Sequence, residues 1–126
     1  MIVAFLLGWI VAFVLVGVGI YALAAPHQLG RHYGVSVEGH NALGYVRATG
    51  VRDIALGIVL AATAYFHLLA LLIVLAVVGI IVSIADSWIV WHHGHARRLH
   101  PAHAIHASGI LAFVLILAMA LFAIGR

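Results

Sequence analysis

Four runs of apolar residues divide the chain, at residues 2–25, 41–65, 68–91 and 101–124. Each is close to the ~20 residues that a helix needs to cross a bilayer. The first run stops before Pro26, which cannot continue a helix, and the fourth starts on Pro101, a residue suited to a first helical turn. Only a few residues around Phe66-His67 separate the second and third runs, which predicts an antiparallel helical hairpin. Two longer stretches make the other connections, PHQLGRHYGVSVEGH at 26–40 and HHGHARRLH at 92–100. The pattern predicts an all-α integral membrane protein: one domain over residues 1–126, a bundle of four transmembrane helices. Four crossings place both termini on one side and the two longer loops on the other.

Composition supports a bilayer as the solvent. The chain is 67% hydrophobic and 7% charged, too little charge to cover a soluble domain. Residues 2–25 lack the basic start of a signal peptide and exceed its usual apolar length, so they read as a retained helix. All six basic residues are arginine. Arg31, Arg97 and Arg98 fall in the two loops, and Arg126 falls on the other side. The positive-inside rule then puts loops 26–40 and 92–100 in the cytoplasm and both termini outside a cytoplasmic (inner) membrane. No basic face exists for nucleic acid. The absence of cysteine removes disulfides, thiolate nucleophiles and cysteine metal sites.

Small residues recur at helical spacing: Gly50 and Gly57 in the second run, Gly79, Ser83 and Ser87 in the third, Ala104, Ser108 and Ala112 in the fourth. Such spacing lets helices approach closely in lipid. It serves packing within the bundle and also permits a homodimer.

The charges inside the spans carry the functional question. Arg47, Arg52, Asp53 and Asp86 lie in otherwise apolar or small-residue sequence. Each costs up to ~2.5–3.5 kcal/mol at a helix centre, so unpaired they total on the order of 10 kcal/mol. Such groups therefore face one another or a cavity. Arg47 and Asp86 each lie about nineteen residues from the Phe66-His67 turn, or ~28 Å at ~1.5 Å per residue. That places them in one layer with Tyr21 of the first helix and His106 of the fourth. Arg52 and Asp53 sit one to two turns deeper. Adjacent helical residues point ~100° apart, so each is expected to find its partner elsewhere. Arg52 can reach toward Asp86, and Asp53 shares a face with Gly50 and Gly57.

Ten histidines are many for this length, and six cluster from His92 to His106. His103 and His106 share a helical face and enter the span, which makes them the candidate pair for zinc, copper or nickel. No recognised zinc spacing accompanies them, and the sequence leaves any cofactor unidentified. Trp88, Trp91 and Tyr65 sit near span ends, where aromatic belts form. Tyr33 and Glu38 belong to a glycine-rich loop, either a solvated connection or a lid over the polar layer.

GRHYGV at 30–35, GVRDIALG at 50–57, ADSWIV at 85–90 and a histidine near the start of the last helix occur in that order. Together they resemble a small bacterial and fungal membrane family, domain-of-unknown-function family 4267, with the broader look of DoxX-like four-helix proteins. The resemblance covers most of the chain and is most specific at Gly50, Arg52 and Asp53, followed by Asp86. It implies a four-helix membrane protein, directs attention to Arg52, Asp53, Asp86 and His106, and implies no activity.

These residues lead to a one-sided polar pocket for a small hydrophobic or amphipathic molecule with an anionic or carbonyl group. Arg47 and Arg52 would hold that group, and Asp53 and Asp86 would orient them. Asp86, His106 and Tyr21 are the candidates for acid–base chemistry such as an isomerisation. Three other readings stand beside it. The charges can serve only to lock helix packing in a structural subunit. The histidines can handle metal. Asp53, the deepest carboxylate, can serve a small proton-coupled exporter.

Overall fold

In the computed structural model, the residues described are 1–33, 37–93 and 101–125, with side chains given for all of these but 93 and 101–103. The described backbone is almost entirely helical: α1 (Ile2–Ala24), α2 (Pro26–His32), α3 (His40–Tyr65), α4 (Leu69–His93) and α5 (Pro101–Ile124). α1, α3, α4 and α5 are each long and apolar enough to cross a membrane. Their outward faces carry Phe13, Val51, Ile58, Ile81 and Leu121, all exposed, as lipid-facing helices require.

One expectation needs correcting. Residues 26–40 are not simply a loop, because Pro26–His32 forms the short helix α2. The reason is local. Ala25 precedes a proline and is pushed out of the helical region, to φ −137° and ψ 58°, which ends α1. Pro26 then supplies a helical φ at the first turn of α2. Within α2, Pro26, Leu29 and Gly30 are buried.

The α3–α4 hairpin closes as expected, on a left-handed residue. His67 has φ 54°. Its N–H donates to Ala64 O at 3.3 Å and the Leu68 N–H to Thr63 O at 3.0 Å, the paired bonds of a Schellman ending. The His67 ring meets Phe5 edge-on at 4.9 Å.

Connection in sequence does not dictate packing here. α1 packs mainly on α3 and α4 mainly on α5, with α1 and α5 joining the two pairs. α3 and α4 touch only slightly despite their short link. The α1–α3 seam is made by glycine: a methyl group on Gly19 would lie 2.5 Å from Gly50 O, and one on Gly50 would lie 2.7 Å from Gly19 O. A methyl group on Gly57 would lie 2.9 Å from Ala12 O. The densest core, with Phe5, Leu60, Leu72 and Ile116, occupies the half of the bundle nearest the α3–α4 turn. The other half, toward α2, is hollow.

Candidate functional site

The hollow is a cavity of about 560 Å³ reached by all four long helices. Leu60, Leu75 and Phe113 are on its wall where it meets the dense core, and Leu29, Gly30 and Tyr33 are on its wall at the α2 end. α1 supplies an apolar wall with Val11, Val14, Leu15 and Val18. The charged residues on the wall are Arg52, Asp53 and Asp86, with His106, Thr49, Ser83 and Ser108 as further polar groups.

Arg52 is the hub. Its Nε and Nη2 both lie 3.4 Å from Asp53 Oδ1. The same Nη2 lies 3.7 Å from Asp86 Oδ2. The reach toward Asp86 follows the sequence expectation. The pairing with Asp53 overturns the expectation that neighbours in sequence cannot meet. The ~100° between them describes their Cβ directions, whereas the long arginine stem folds back along the helix. Asp53 is buried, at 12% side-chain exposure, while Arg52 keeps 46% and Asp86 36%. The network thus bridges the slightly packed α3–α4 seam from the cavity side.

Two residues of the expected layer stand elsewhere. Arg47 is exposed and is not on the cavity wall. The wall residues of α3 are Val46, Thr49, Arg52, Asp53, Leu56 and Leu60. At ~100° per residue, Arg47 points roughly 150° away from the middle of that stripe. Tyr21 lies one turn beyond Val18, and its hydroxyl donates to Gln28 Oε1 at 2.9 Å, which ties α1 to α2. His106 does reach the cavity, and its Nε2 is buried.

The tyrosine that faces the cavity is Tyr33. Its ring lies 5.2 Å from that of His106, tilted by 31°. Burial, followed by the fields of Asp53 and Asp86 and opposed by Arg52, pushes its phenol from 10.0 up to about 12. Tyr33 therefore stays protonated at neutral pH. Its place in the GRHYGV stretch was the available sequence signal, but loop position alone could not show that α2 would turn it inward.

Among the described residues, no group of three histidine or acidic side chains is placed to hold a metal ion. The side chain of His103 lies outside the described residues, as do those of His93, His95 and His100.

No curated protein and no solved structure matches the chain. A family does: Domain of unknown function (DUF4267) matches residues 12–122, a range that includes every residue on the cavity wall except Ile10 and Val11. The chain belongs to the DUF4267 family.

Proposed function

We propose that the cavity is a binding site for a small hydrophobic or amphipathic molecule, opening toward the α2 end of the bundle. The observation that carries this reading is where the charges sit. They stand on the wall of a 560 Å³ hollow and not in a closed helix seam. A packing lock would hold its ion pairs short and dry. Here the separations are 3.4 and 3.7 Å and two of the three partners remain substantially exposed. Intramembrane charges usually mark a ligand or ion path, and apolar pockets with a few convergent polar groups are typical small-molecule sites. Arg52, Asp53 and Asp86 are the recognition groups. Tyr33 and His106 close the α2 end and stand where a proton would be given or taken if the bound molecule reacts. The arginines of the loops orient this mouth to the cytoplasm.

The test uses a neutral probe. Decanol is titrated against the protein in phosphatidylcholine nanodiscs while thermal unfolding is followed. A site gives saturable stabilisation that Val82→Trp, which fills the wall, removes without lowering the unfolding temperature of the free protein. Stabilisation that never saturates, or that is the same in the variant, means the cavity is not the site.

A further inference from the structure

The charge balance of the cavity differs from that of the spans. Two arginines and two aspartates cancel along the spans. With Arg47 on the far side of α3, the cavity wall keeps one guanidinium against two carboxylates among the described residues. With both carboxylates ionised, these described wall residues leave one negative charge in surplus.

The surplus can be assigned. Arg52 directs two nitrogens at the buried Asp53 and reaches Asp86 with one, at the longer distance. Asp86 is also the more accessible carboxylate, and among the described residues Arg52 is its one ion-pair partner. The other titratable groups on the wall are His106 of α5 and Tyr33 beyond α2. Both carboxylates add to the upward push on the Tyr33 phenol, so their field extends to the mouth.

We propose that the cavity takes a lipophilic cation, an ammonium group bearing an apolar chain or ring, with Asp86 as its counter-ion. This rests on the ligand-binding reading above and names its ligand class. A surplus carboxylate in a low-dielectric hollow is costly, and a cation offsets it, whereas an anion would add a second uncompensated charge. The apolar body lies along Val14, Val18 and Val82. The expected anionic or carbonyl group was to be held by Arg47 and Arg52 together, and Arg47 stands off the cavity wall.

The experiment compares three probes with one chain length, decyltrimethylammonium, decanol and decanoate. Each is titrated in nanodiscs of zwitterionic phosphatidylcholine, so that the lipid does not select by charge. The ammonium is expected to bind about tenfold or more tightly than decanol, with decanoate weakest. Asp86→Asn should erase the ammonium's advantage over decanol. Decanoate or decanol binding as tightly as the ammonium overturns the proposal while the cavity stands, as does an advantage that survives in Asp86→Asn. If none of the three binds saturably, the ligand-binding reading itself fails. The ranking on the unsubstituted protein decides the matter even if Asp86→Asn does not fold.

Discussion

Arg52 and Arg47 are chemically identical and five residues apart, and the structure gives them opposite surroundings. Replacing Arg52 by glutamine strips the buried Asp53 of its ion-pair partner. Removing one member of a buried pair costs about 3–5 kcal/mol, and the partial exposure of Arg52 puts the expected loss toward about 3 kcal/mol or below. Arg47→Gln, at an exposed position, should change stability by less than about 0.5 kcal/mol. Urea or thermal unfolding of the two variants checks the contrast, and equal losses would contradict it. Tyr33 provides a second test. Four tyrosines are present, and the phenol of Tyr33 is held up to about 12. The folded chain keeps this proton where the unfolded chain has lost it, so Tyr33 favours folding below pH 10 and that contribution fades as pH rises toward about 12. Tyrosinate absorbance followed against pH should show a late-titrating component that disappears in Tyr33→Phe. Loss of an early component instead would place Tyr33 in water.

The seam between α1 and α3 is the most demanding contact between elements. Gly19 and Gly50 approach backbone to backbone, and backbone cannot step aside as a flexible side chain can. Gly50→Ala should therefore cost about 1–3 kcal/mol, as overpacking does. Gly17→Ala, with nothing within 4 Å of the added methyl group, should be neutral or slightly stabilising through helix propensity. Unfolding of both variants in the same detergent tests the pair. This seam also shows what was legible in advance. The span limits and the packing role of Gly50 and Gly57 follow from apolar length and small-residue spacing, which are local properties. Depth along the helices could be estimated too, since rise per residue is fixed, and Asp86 and His106, expected in one layer, both stand on the cavity wall. Direction around α3 was harder. The ~100° step that turns Arg47 away from Asp53 is in the sequence, but which face meets the cavity depends on how four helices arrange themselves. The pairing of α1 with α3 and of α4 with α5, and not of α3 with its neighbour α4, is a tertiary choice that no single helix encodes. α2 was missed because a seven-residue helix has too little periodicity to stand out.

Among the described residues, the charges on the cavity wall stand toward one end of the bundle. The dense half near the α3–α4 turn holds Phe5, Leu72 and Ile116, and the hollow half carries the charges beneath α2. The proposed site would serve one compartment, so its orientation would decide which pool of molecules it meets. In the sequence, Arg31 lies in the α1–α3 connection and Arg97 and Arg98 in the α4–α5 connection, whereas Arg126 follows α5. Arginine near span ends is retained on the cytoplasmic side during insertion, which predicts a cytoplasmic mouth. The chain contains no cysteine, so a single introduced thiol reports its own side without background. Glu38→Cys marks the α2 end and Gly125→Cys the opposite end, both at exposed positions. In intact cells a membrane-impermeant maleimide should label Gly125→Cys and spare Glu38→Cys, and permeabilised cells should show both labelled. The reverse pattern would turn the mouth outward, and the bound molecule would then have to come from outside the cell. Labelling of both positions in intact cells would mean that the chain inserts in two orientations, and the arginine bias would be too weak to define a single working side.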